Sequence, residues 1–205
     1  MKRLAAAAVL AALFAVPALA QTQPQPEGTP TRIRGTVEKL DGKTLTVKTR
    51  EGQTATITLA DNFTVSALAK KTVGDVKSND YIASTGMKGT DGKLHCVELR
   101  IFPEAQRGLA EGQFPWDSRP DSTMTNATVT GMATAASGQT VKVKFKDTES
   151  EFVAGPECQV YAYVPGDPGL LKPGAAVFIG ALKKPDGSLT AARVTAEKDG
   201  VKPAF

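Results

Sequence analysis

The sequence predicts an all-β protein: two tandem small β-barrels of the OB type, joined by an ordered strap and preceded by a cleaved signal peptide. Three observations predict it. The chain repeats itself: Arg34-Gly35-Thr36-Val37 opens a run that closes with Asp91-Gly92-Lys93-Leu94 and the apolar positions Val97, Leu99 and Ile101. About ninety-five residues later, Thr130-Gly131-Met132 opens a second run, closed by Asp186-Gly187-Ser188-Leu189 with Ala192 and Val194. Each run is divided into short stretches of period-two alternation by turn pairs such as Asp41-Gly42 and Glu51-Gly52. Closing such stretches into barrels removes the exposed edges that a flat meander would leave, with an open sandwich as the alternative.

Residues 1–20 read as the signal peptide. Lys2 and Arg3 form a positive start, an apolar stretch follows, and Ala18-Leu19-Ala20 offers the small-x-small cleavage pattern. The apolar stretch is shorter than the roughly 20 residues that span a bilayer. No later segment is long and apolar enough to cross, so the mature chain is expected to carry no membrane span and to be periplasmic. Residues 21–30, rich in Gln, Pro and Gly, read as a flexible leader.

The first barrel module is expected over 31–102. Its strands are carried by Ile33 and Val37, by Leu45 and Val47, and by Ala55, Ile57 and Leu59, followed by a shorter one around Phe63 and Val65. Residues 67–77 lack alternation and suit a short helix or 3₁₀ turn, before two further strands at 81–87 and 94–102. The second module, 124–199, repeats the order, with Val141, Val143 and Phe145, then Phe152 and Val153, then 160–164, 176–181 and 189–196; 200–205 is a tail. Residues 103–123 lie between the modules without strand periodicity and hold the single tryptophan. Such a length inside a compact domain is functional or a linker. Leu109, Phe114 and Trp116 do not suit a solvated tether, so this segment reads as a strap packed on one or both barrels.

Several motifs point beyond the repeat. Residues 101–105 (Ile-Phe-Pro-Glu-Ala), Arg107-Gly108 with Glu111-Gly112, Pro115-Trp116-Asp117, 122–127 and 163–167 together resemble a family of exported proteobacterial proteins. Members resemble tandem copies of a secreted small β-barrel domain of unknown function, and some carry the automatic name "metal ABC transporter permease". A permease needs several membrane-spanning helices, and this chain offers only its signal peptide. Members often have His-Arg before Pro-Trp-Asp, where this chain has Gln113-Phe114.

Composition narrows the chemistry. Formal charge is +4, from 25 basic and 21 acidic residues, and falls to +2 once Lys2 and Arg3 are removed. A near-neutral chain has little field to attract nucleic acid, and Lys142, Lys144 and Lys146 read as the solvated face of a barrel strand. The one histidine, His95, adjoins Cys96, and neighbours on a strand face opposite ways, which argues against a shared metal or a Cys-His nucleophile. Export permits a disulfide, but Cys96 and Cys158 lie in different predicted modules and would have to meet across an interface, so two unpaired, partly buried thiols are expected, with the bridge as the alternative. Glu104, Glu111, Asp117 and Asp121 are the carboxylates that a glycoside hydrolase would draw upon, and read as solvated. No cofactor is expected. The reading is a non-enzymatic binding or scaffold protein for an unknown envelope protein or small ligand. Its candidate surface is an inter-barrel cleft lined by Phe114, Trp116, Asp117, Tyr161 and Tyr163; metal handling and envelope hydrolysis are the alternatives.

Overall fold

A computed structural model describes residues 28–135 and 138–203. The signal peptide and most of the leader lie outside the described residues. The chain is all-β, and its strands form one continuous hydrogen-bonded sheet. They are β1 (Thr29–Asp41), β2 (Thr44–Thr49), β3 (Thr54–Lys71), β4 (Tyr81–Lys88), β5 (Leu94–Ile101), β6 (Gly112–Trp116), β7 (Ser122–Ala135), β8 (Gly138–Phe145), β9 (Thr148–Ala154), β10 (Gln159–Pro165), β11 (Ala176–Lys183) and β12 (Leu189–Ala196).

The sheet closes on itself twice. β12-β11-β1-β2-β3 runs antiparallel, and a parallel contact of β3 with β12 (Ile57 beside Leu189, Val65 beside Val194) completes a ring of five. β5-β4-β7-β8-β9 does the same, closed by the parallel pairing of Leu94 with Phe152 and His95 with Val153. An antiparallel circuit closed by one parallel contact is the Greek-key barrel of the OB type.

The two rings are not the two sequence modules. β1, β2 and β3 close with β11 and β12, more than a hundred residues away, whereas β7, β8 and β9 close with β4 and β5. Barrel 1 therefore takes its last two strands from the second repeat, and barrel 2 takes its last two from the first. The division into 31–102 and 124–199 is corrected accordingly: barrel 2 is the stretch from β4 to β9, inserted into barrel 1 between β3 and β11. Length explains the exchange. β3 runs for 18 residues, too long to stay on one small barrel. Its far end carries the chain across to pair antiparallel with β10, from Lys71 beside Val160 to Ser66 beside Pro165. The short strand expected around Phe63 and the start of the irregular segment after it belong to this one strand; only Val73–Asp75 forms a 3₁₀ turn.

Period-two alternation fills each ring. Leu45, Val47, Ile57, Val177, Ile179 and Val194 are fully buried in barrel 1, and Ile82, Leu99, Val129, Val141, Val143 and Phe152 are buried in barrel 2. Lys142 and Lys144 point out of β8 between the valines. Burying each such side chain stabilises the fold by about 1.5–3 kcal/mol. Gly35 is required at the crossing where β1 pairs with β2 and β11 together. A Cβ there would lie 2.1 Å from the Lys48 carbonyl oxygen, so any side chain pushes the strands apart.

Exchange also brings the cysteines together. Cys96 on β5 and Cys158 just before β10 form a disulfide with Cα atoms 5.1 Å apart, correcting the expectation of two unpaired thiols. That expectation placed them in separate modules, but both belong to barrel 2. Among the described residues, no helix is long and apolar enough to cross a membrane.

Candidate functional site: a cleft under the strap

The segment between the repeats is ordered and includes a strand that its composition hid. β6 pairs antiparallel with β7, from Gly112 beside Asn126 to Trp116 beside Ser122. Pro115 fits because β6 is an edge strand, where a missing N–H on the open side costs no ladder bond. Alternation along β6 turns Phe114 and Trp116 to one face, while Gln113 on the other donates from Nε2 to Thr125 Oγ1 at 3.0 Å.

Backbone bonds hold the strap to barrel 2, and its side chains reach barrel 1. Arg34 of β1 forks onto Asp117, Nη1 to Oδ2 at 3.0 Å and Nη2 to Oδ1 at 2.8 Å. The Arg34 side chain is 3% exposed and that of Asp117 is 43% exposed, so the ion pair caps a buried guanidinium from the solvent side. Partial burial works to raise the Asp117 carboxyl, but hydrogen bonds and charge from Arg34, aided by Arg32, hold it below the ordinary value. Farther back, Tyr81 Oη and Asn126 Nδ2 both donate to the Leu109 carbonyl at 3.1 Å.

Between these anchors runs a ladder of alternating guanidinium and aromatic groups. Arg32 lies 4.1 Å from the Trp116 ring centre, and Arg34 lies 5.3 Å from Trp116 and 5.0 Å from Phe178 of β11. Arg100 of β5 stands 6.0 Å from Phe178 and 5.9 Å from Tyr163 of β10. Tyr163 stacks on Phe102 at 5.0 Å, and Phe102 tilts against Tyr81 at 5.5 Å. Arg100 also donates to Tyr163 Oη at 3.1 Å and to Glu98. Burial works against its charge, but Tyr163 and Glu98 outweigh burial and raise its pKa. Cation–π contacts of this kind contribute about 0.5–2 kcal/mol each, more where water is excluded.

Arg32, Trp116, Phe178, Arg100, Tyr163 and Phe102 of the ladder line a cleft of about 980 Å³. Thr58, Gly180 and Thr190 of barrel 1 line one wall; Phe114, Met124 and Tyr163 line the other. A smaller annex of about 70 Å³ lies beside it and shares Arg100, Trp116 and Phe178 as walls.

Of the residues expected at the cleft, Phe114, Trp116 and Tyr163 line it. Asp117 instead holds Arg34 at the strap's end. Tyr161 does not line it; its hydroxyl donates to Gln159 Oε1 at 2.7 Å. Sequence reasoning missed Arg32, Arg34, Arg100, Phe102 and Phe178. The one available signal was Arg32 and Arg34 alternating with the core positions Ile33 and Val37, on a face whose cover comes from a distant strap.

The remaining chemical candidates are dispersed. His95 points away from the core with Nε2 3.0 Å from Asp91 Oδ1, while Cys96 is fully buried in the disulfide. Glu104 pairs with Arg107, Glu111 accepts from the Lys146 backbone N–H at 2.9 Å, and Asp121 is exposed in a turn with φ of 57°. Among the described residues, no three His, Cys, Asp or Glu side chains converge as a metal site would require. Comparison with protein-family models, with curated proteins and with solved structures finds no match for this chain.

Proposed function

We propose that this is a periplasmic, non-enzymatic binding protein whose ligand occupies the cleft under the strap. The observation that carries the reading is the cleft itself: about 980 Å³, walled by both barrels, and roofed by the one segment that the repeat does not duplicate. Small-molecule sites are concave, mostly apolar and supplied with a few oriented polar groups, and aromatic side chains with buried arginines fit that description. The barrels then act as a rigid frame and the strap as the recognition element.

Trp116 is the single tryptophan and lines the cleft, so its emission reports occupancy directly. A metabolite screen on the mature chain is expected to yield a compound that shifts both the emission and the melting temperature. At a hundredfold excess over Kd, a ligand binding only the folded state adds about 2.7 kcal/mol. A screen that moves neither signal counts against a small ligand. Leu109, 39% exposed at the rim, supports a second reading in which an envelope protein inserts an apolar segment there. Capture from an envelope extract that Leu109→Asp abolishes would favour it. Neither metal handling nor hydrolysis draws support from the site.

A further inference from the structure

The annex specifies what kind of ligand the cleft would take. Resting on the binding role proposed above, we infer that the ligand is a small amphipathic acid, its apolar body along the aromatic ladder and its carboxylate head in the annex beside Trp116.

Three features converge on that chemistry. First, the annex is bordered by Arg34, Arg100 and Arg119, with Glu98 as its one carboxylate wall. Arg34 and Arg100 are 4% and 9% exposed, so the site is built from buried guanidiniums and not from surface lysines. Second, the buried Arg34 Nε has no hydrogen-bond partner among the described residues. A buried unmet donor costs about 1–3 kcal/mol, and more on a charged group, so this end of Arg34 favours an acceptor. Third, charge is uncompensated. Arg32, Arg34, Arg100 and Arg119 surround Trp116 and the annex, while Asp117 and Glu98 are the carboxylates paired within the group. Arg119 has no ion-pair partner among the described residues. The surplus of two positive charges therefore sits on Arg32 and Arg119, whose exposed guanidiniums flank the buried pair, and a single acidic head is favoured there.

Size fits the division. About 70 Å³ holds roughly two waters, or the three heavy atoms of a carboxylate, but no ring. The 980 Å³ cleft next door, with walls of Phe114, Met124 and Phe178, has room for an acyl chain or a fused ring system. The two spaces meet at Arg100, Trp116 and Phe178, and the proposal places the head on one side of that junction and the body on the other, with Trp116 against both.

Three probes of equal length separate the terms: dodecanoate and dodecyltrimethylammonium, each below its critical micelle concentration, and dodecanol below its solubility limit. They are titrated into the full mature protein with Trp116 emission and calorimetric stoichiometry as readouts. Dodecanoate is expected to bind one-to-one and at least tenfold tighter than dodecanol, with the ammonium weakest. Arg119→Ala is expected to reduce the dodecanoate-to-dodecanol affinity ratio about tenfold, and added salt to reduce it further. Arg119 is exposed, so the variant keeps its fold; an unchanged melting temperature checks this. Equal affinity for dodecanoate and dodecanol, or an unchanged ratio in Arg119→Ala, overturns the acidic head and leaves the cleft reading standing. Silence with all three probes overturns the cleft reading as well.

Discussion

The two barrels share a topology and differ at the seam. In barrel 1, β3 is continuous, and its contact with β12 resumes after a four-residue bulge opposite Ala192. In barrel 2 the equivalent strand is broken: β9 ends at Ala154, β10 starts at Gln159, and β5 pairs with each in turn. Registers align at an offset of 95 residues, Ile57 with Leu189 matching Phe152 with Leu94. At that offset Cys96 and Cys158 occupy the positions that Ala191 and Phe63 hold in barrel 1, where both join the apolar cluster. One seam is closed by an apolar pair and the other by a covalent bond. The covalent bond sits where the hydrogen-bonded ladder has its gap. The scaffold was thus repeated with two different means of closing its seam.

The largest test of the comparison is all-or-none. Barrel 2 is contiguous and carries its own disulfide, so residues 79–165 are expected to fold alone, with dispersed amide spectra and cooperative unfolding. Residues 29–102, which contain the first sequence module (31–102), hold β1 to β3 of one barrel and β4 and β5 of the other, and are expected to stay unfolded. The opposite pattern would mean that each repeat closes on itself and that the exchange is wrong.

Next comes the seam. Closing a loop across a separation of 62 residues removes chain entropy worth about 4 kcal/mol from the unfolded state, so Cys96→Ser with Cys158→Ser should lose roughly that much in urea unfolding. Amides of β5 and β10 should exchange faster well before those of β2. Rebuilding the seam of barrel 1, with Cys96→Ala and Cys158→Phe, should recover part of the loss. If it recovers none, the two seams are not equivalent.

How much of this was legible in the sequence follows from range. Alternation at Leu45, Val47, Ile57, Val141 and Val143, and the Asp-Gly turns, are local, so the all-β class, most strands and the repeat could be read directly. Which strand closes which ring is decided by contacts between residues such as Val65 and Val194, and nothing within either strand encodes its partner. The disulfide was missed for the same reason. Phe114, Trp116 and Tyr163 stood out as aromatics on an unrepeated segment or an alternating strand. Arg34 and Arg100 did not, because their burial depends on a strap that folds over them from elsewhere in the chain.

A smaller effect tests the strap's hold on barrel 1. Asp117→Ala leaves the guanidinium of Arg34 buried with Nη1 and Nη2 unmet. A charged hydrogen-bonded pair contributes about 1.5–3 kcal/mol, and the half-exposed Asp117 places this one at the lower end. Melting temperature should fall modestly, and Trp116 emission should move to the red as the strap lifts. A blue shift, or none, would place the strap's attachment entirely on its pairing with β7.

The smallest effect is a titration, and its sign is fixed. The Asp117 carboxyl has a folded-state pKa below its ordinary value of 3.8. Its contribution is therefore complete above pH 3.8 and is lost as pH falls through the lower folded-state value. Protonation removes the carboxylate charge that faces the guanidiniums of Arg32 and Arg34, so the attraction that holds the strap's end is lost. Trp116 emission should stay flat from neutrality down to about pH 4 and shift below it, while Asp117→Asn should show the shifted emission already at neutral pH and no step on acidification. A wild-type step centred above pH 5 would mean that another group holds the strap. Only barrel 1 contributes Arg32 and Arg34, so this one titration reports where the strap joins the barrel that the repeat alone could not assemble.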